Sequence, residues 1–192
     1  MTVDWLRAFP RDLAPVVTKA ALKLPPSEFD QSGLITESNS RAWPTLVASG
    51  QAIEVPYRIY SDHLSARDWD AATSVERTVL GCFYSRHHDG HVRQTALPWL
   101  LDSAEPFVAP FVVQFLGEYV LEIVVDIAER IERDRVNGSC LLEALSQFAH
   151  ENPAFVTLTE ARARSYWAEY YRREFVWARD YPALIAISRI NA

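Results

Sequence analysis

Between residues 112 and 131, Val112, Leu116, Val120, Ile123, Ile127 and Ile131 recur at intervals of three and four residues. That spacing places them on one face of an α-helix, and Val113, Tyr119 and Val124 widen the stripe. The pattern predicts a single helix running to about Arg135 and stopping at Asn137-Gly138, a combination that ends helices. At roughly 1.5 Å of rise per residue it reaches about 40 Å. A helix of that length should be the central element around which the rest packs. With 192 residues, the chain suits one helical domain at roughly 100–200 residues per domain. We read residues 1–60 as an irregular N-terminal arm and residues 70–192 as the helical core.

Prolines at 10, 15, 25, 26, 44 and 56 interrupt the arm. Residues 13–24 read as a short helix with Pro15 in its first turn, where a missing N–H is tolerated. Residues 27–40 read as a polar surface turn and 41–49 as a second short helix. Residues 53–60 are strand-like in composition, but Pro56 reduces them to an extended segment or edge strand. Thr73 and Glu76 have capping-box spacing, so a helix should open there and end near His87, before the Asp89-Gly90 turn. The next spans 91–101, with Pro98 expected to kink it. A helix over 139–150 is closed by Asn152-Pro153. Thr157 and Glu160 repeat the capping-box spacing and should open a helix reaching about Arg179, followed by a terminal helix over 182–190. The expected fold is all-α, an irregular bundle or a short solenoid-like stack.

Composition narrows the function. A net charge of -6 argues against nucleic acid as partner. Only 6 glycines are present, and the sequence has no GxSxG, Walker or dinucleotide-binding pattern, so no cofactor is expected. Residues 106–128 are apolar enough to suggest a membrane span. Glu118, Glu122 and Asp126 interrupt them, however, each costing roughly 2.5–3.5 kcal/mol near a bilayer centre. Residues 1–17 lack the features of a secretory signal. Cys82 and Cys140 lie in apolar helical surroundings and read as reduced thiols of a cytoplasmic protein. Lysine occurs only as Lys19 and Lys23. Arginine, better suited to fixed and partly buried ion pairs, takes its place, a bias that with the many alanines fits a GC-rich bacterial gene.

The run Asp89-x-x-Val92-Arg93-x-x-Ala96-x-x-x-Leu100 has a physical logic. Asp89 can cap the incoming helix, Val92, Ala96 and Leu100 form an inward stripe, and Arg93 can reach a carboxylate of a neighbouring turn. The run resembles the inter-helix turn and second helix of a HEAT repeat. The resemblance covers about residues 74–101, with a looser echo at Asn152-Pro153-x-x-Val156. The two sites stand 63 residues apart, against roughly 40–47 in a regular array. It implies a helical stack that binds another macromolecule through an exposed face.

Residues 102–151 hold ten acidic residues against three arginines, and from residue 160 six arginines face four acids. Either an acidic helix packs beside a basic one, or an acidic face awaits a basic partner. Glu118 and Glu122 fall four apart on the long helix, continued by Asp126 and Glu129. Salt bridges to arginines would tie such carboxylates into the fold; lining a pocket with a histidine, they would suit acid–base or metal chemistry. Arg86 to His91 places His87, His88 and His91 around Asp89-Gly90, with no further Cys or His pair to complete a zinc site; a solvated turn is the simpler reading. Tyr170, Arg173 and Trp177 belong to an aromatic–arginine segment suited to core packing or to interface contacts. We therefore expect a non-enzymatic protein–protein interaction module, of inhibitor or immunity type, contacting its partner through Glu118, Glu122, Asp126, Glu129, Tyr170, Arg173 and Trp177. A small helical enzyme or ligand-binding protein is the alternative, and homodimerisation through exposed aromatics a third reading. No metal is expected.

Overall fold

The computed structural model describes residues 4–25, 45–56 and 58–192. The chain groups into two compact units, Met1–Leu100 and Leu101–Ala192. The architecture is all-α, with one two-stranded hairpin among the described residues.

In the first unit, 3-10 turns at Trp5–Ala8 and Arg11–Leu13 lead into helix α1 (Ala14–Ala21), which carries Pro15 in its first turn. Strands β1 (Leu46–Ala48) and β2 (Gln51–Ile53) pair antiparallel, Leu46 opposite Ile53. Ser49 and Gly50 join them with φ of 51° and 71°, the paired positive values of a tight hairpin turn. Two such residues cannot continue a helix, so this hairpin replaces the helix expected over 41–49. Residues 41–44, like the turn expected over 27–40, lie outside the described residues. After β2, Ile59 forms an isolated bridge with His87.

Helix α2 (Ala66–Asp70) precedes α3 (Ser74–Tyr84) and α4 (Gly90–Leu101). The capping box at the start of α3 is complete. Thr73 Oγ1 accepts the Glu76 N–H at 3.3 Å, and Glu76 Oε2 accepts the Thr73 N–H at 2.7 Å. Lys19 of α1 pairs with the other Glu76 oxygen at 2.8 Å, so one carboxylate caps α3 and ties it to α1. Trp5 stacks on Phe83 with ring centroids 4.0 Å apart. A Cβ on Gly81 would stand 2.8 Å from Leu100 Cδ1 and 2.9 Å from Trp99 Cβ, so α3 and α4 approach closely only because residue 81 has no side chain. Helix α4 continues through Pro98 to Leu101.

The second unit departs from sequence expectation at its main helix. A 3-10 turn, Pro106–Val108, leads into α5 (Ala109–Phe115), and α6 begins only at Leu121 (Leu121–Asn137). The expected helix of about 40 Å is therefore two helices. Phe107 to Glu118 are all buried, whereas α6 buries one stripe, Ile123, Val124, Ile127, Ala128 and Ile131. A segment buried all round and an amphipathic one need different surroundings, and the break lets each find its own. Leu116, Gly117 and Glu118 close α5 with bonds to the third carbonyl back. A Cβ on Gly117 would come within 3.3 Å of Thr159.

Gly138, at φ 72°, ends α6, and Ser139 caps α7 (Cys140–Glu151) by accepting the Leu142 N–H. Asp134 joins the two helices. It receives Arg130 Nε on both oxygens at 2.9 and 3.0 Å and the Ser139 hydroxyl at 2.6 Å. Helix α8 (Pro153–Tyr166) starts at Pro153, not at Thr157, whose hydroxyl bonds the Pro153 carbonyl inside the helix. It passes into a π-helical turn, Trp167–Tyr171, and ends well before Arg179. A 3-10 turn, Ala178–Asp180, precedes α9 (Pro182–Ile190), which packs on α6 and adds an Arg189–Glu132 ion pair at 2.7 Å.

Candidate functional site

Helix α6 turns Glu122, Asp126 and Glu129 outward at intervals of four and three residues. None of the three has a cation within ion-pair distance among the described residues. Partial burial pushes the Asp126 carboxyl up, and the charges of Glu129 and Glu122 push it the same way. The acids that meet arginines on α6 are others, Asp134 with Arg130, which also pairs with Asp102, and Glu132 with Arg135 and Arg189.

Glu118 does not belong to this row. It is 4 % exposed and sits in the break between α5 and α6, so it is neither on a helix with Glu122 nor available at the surface. The four-residue spacing suggested a shared face only because the sequence concealed the break.

The same unit also exposes several large side chains. Tyr119, Tyr170, Val176 and Trp177 are 52 %, 64 %, 67 % and 61 % exposed, and Arg173 is exposed. They are carried on structured backbone: the π-helical turn holds Tyr170, and Trp167 Nε1 donates to the Phe175 carbonyl at 2.7 Å to close the following turn. The Tyr171 hydroxyl donates to the Tyr119 carbonyl. Ring neighbours run from Tyr119 to Tyr166, Tyr170 and Tyr171, and from Tyr171 to the fully buried Tyr181. Burial raises the Tyr171 phenol, and the Glu122 charge adds to that rise, which places Glu122 near Tyr171. Arg179 lies over the Trp177 ring at 5.6 Å. Tyr119 was expected on the buried stripe; the break turns it outward. Its position two residues after Gly117 is the only sequence sign of this.

In the first unit, the spacing that began at Asp89 describes a working helix start. Asp89 Oδ1 accepts the His91 N–H at 2.8 Å, and Val92, Ala96 and Leu100 are buried. Arg93, 1 % exposed, donates Nη1 to the carbonyls of His87 and His88, both at 2.9 Å. It thus binds backbone oxygens of the turn it follows.

The histidines do not form a uniformly solvated turn. His88 and His91 are exposed, but His87 is 2 % exposed. Its Nδ1 accepts the Asp89 N–H at 3.1 Å, and its Nε2 lies 2.8 Å from the Ser61 carbonyl. Since a carbonyl only accepts, these partners assign the neutral Nε2–H tautomer. Burial holds its pKa below the usual histidine value. No group of three Cys, His, Asp or Glu side chains among the described residues is placed to hold a metal ion.

A cavity of about 310 Å³ in this unit is lined by His63, Leu64, Trp69, Tyr84, Val92 and Trp99, among others. The Trp69 and Trp99 rings stack at 5.5 Å. A second, of about 490 Å³, lies between α8 and α9 with Arg164, Arg179 and Arg189 in its walls; Arg164 pairs with Glu160 and Arg189 with Glu132. Glu118 and Glu122 line neither. Burial pushes the Cys82 thiol well up, as an unreactive core cysteine requires, and Cys140, expected in apolar surroundings, is exposed. No described helix is long and apolar enough to cross a membrane. No protein-family model, characterised protein or solved structure matches the chain.

Proposed function

We propose that the protein is a non-enzymatic interaction module and that its second unit carries the contact face. The observation that carries this reading is that the unit leaves large side chains exposed on ordered backbone, Tyr119, Tyr170, Val176 and Trp177, together with three carboxylates, Glu122, Asp126 and Glu129, that have no ion-pair partner among the described residues. Aromatic side chains and arginine are the residues that dominate binding energy at interfaces. A row of like charges destabilises the free helix modestly but attracts and orients an oppositely charged partner. The partner we infer is therefore a protein with a basic, partly apolar surface, and masking such a surface is what an inhibitor or immunity-type protein does. The HEAT-like spacing from Asp89 to Leu100 supports a binding scaffold. The free cysteines and the arginine-rich composition fit a reducing, bacterial cytoplasm.

The test is capture from lysate of the native host on three baits: wild type, Tyr170→Ala with Trp177→Ala, and Glu122→Gln with Asp126→Asn and Glu129→Gln. Far-ultraviolet circular dichroism establishes that each is folded. The expected result is one stoichiometric basic protein on wild type, weakened at least roughly tenfold by either variant, as loss of a hot-spot side chain requires. Equal capture by all three folded baits contradicts the reading. Recovery of the chain itself as sole partner replaces it with self-association.

A further inference from the structure

The histidine turn holds down a neighbouring strap, residues 59–64, through bonds that can be counted. Ile59 N–H donates to the Arg86 carbonyl at 2.8 Å, and His88 N–H donates to the Ile59 carbonyl at 3.0 Å. His87 Nε2–H reaches the Ser61 carbonyl at 2.8 Å, and the Tyr84 hydroxyl reaches the Asp62 carbonyl at 2.8 Å. The turn is shaped in part by the Asp89 N–H on His87 Nδ1. The strap then supplies His63 and Leu64 to the wall of the cavity that holds the Trp69–Trp99 stack.

We propose that this arrangement is an acid-operated latch, in which protonation of His87 loosens the 87–89 turn, frees the strap and opens the aromatic cavity. The chemistry follows from the tautomer. In the neutral ring each nitrogen meets a complementary partner. A proton on Nδ1 points a second donor at the Asp89 N–H, so that bond is lost and two donors face each other in a buried site. The new charge also lies near other basic side chains: the His88 ring is tilted against the His87 ring at 4.3 Å, His63 on the strap lies at 5.9 Å, and Arg93 from α4 binds the His87 carbonyl. Tyr84, at the end of α3, has its ring 6.1 Å from the His87 ring, Arg86 directly precedes His87 in the turn, and His91 follows in α4. Asp89 and Asp62 bring the opposing charge. Asp89 is engaged by the His91 N–H, and Asp62 binds here through its backbone carbonyl.

Amide hydrogen exchange on the full chain, between about pH 7.5 and about pH 5, tests the latch across the histidine range. After correction for intrinsic exchange rates, protection at Ile59, His88 and Asp89 should fall at least roughly tenfold, while amides of α6 keep theirs. Tryptophan emission should shift to longer wavelength in the same step. His87→Gln keeps a donor for Ser61 and cannot titrate, so it should abolish the step. Should His87→Gln fail to fold, the His87 ring resonances of wild type take its place, and they must titrate together with the loss of protection. Unchanged protection at the lower pH, a step that survives in folded His87→Gln, or equal loss throughout α6 overturns the proposal.

Discussion

Thr73 and Gly81 serve helix α3 in opposite ways, one by supplying an atom and the other by lacking one. Thr73→Ala removes the cap on the Glu76 N–H and should cost about 1 kcal/mol. Gly81→Ala forces a Cβ into the Leu100 and Trp99 side chains and should cost roughly 1–3 kcal/mol, as over-packing does. Urea unfolding measures both. Glu76 adds a pH signature. Lys19 beside it and the Thr73 N–H hold its carboxyl down to about 2, from an ordinary value of 4.5. A depressed carboxylate stabilises the fold above its unfolded value and stops doing so as pH falls through the folded one. The stability difference between wild type and Glu76→Gln should therefore be constant above about 4.5 and shrink toward 2. The capping box was legible because it is local: two residues three apart and a helix behind them. The Lys19 contact was not, since nothing in a sequence says which lysine will lie beside a buried carboxylate.

At the scale of the element, the break between α5 and α6 decides what the surface presents. The apolar period from Val112 to Ile131 correctly marked both helices. It could not show that they are separate, because residues 116–120 keep the stripe's spacing and Gly117 alone lowers helix propensity by only about 1 kcal/mol. What separates the helices is burial on every side of 107–118, a tertiary fact. The same limit misassigned Glu118 and Tyr119, while Glu122, Asp126 and Glu129 were read correctly as a helix face. Gly117→Ala should cost less than Gly81→Ala, since its Cβ would meet the Thr159 methyl at 3.3 Å and not at 2.8 Å as at Gly81; comparing urea midpoints decides it. Asp126→Asn should be mildly stabilising at neutral pH, by about 0.2–0.5 kcal/mol. Its carboxyl is raised by burial and by Glu129 and Glu122, so wild type bears a cost when that group is ionised. The gain should fade as pH falls through the folded value of Asp126 and vanish below its ordinary one. A surface that gains stability by losing a charge has the trade-off expected of a functional face.

Across the whole molecule, the first unit carries the His87 turn and the aromatic cavity, and the second carries exposed acids on α6 and exposed Tyr119, Tyr170 and Trp177. The all-α class follows from helical periodicity, which each segment displays by itself. The proposed contact face draws on side chains from α6, the π-helical turn and the loop after it, which are distant in sequence. The most direct test is the hydrogen-exchange footprint of the complex with the captured partner. Our account predicts protection confined to residues 119–129 and 166–178, with the first unit unchanged. A footprint on the first unit, with those two segments exchanging as in the free protein, contradicts it.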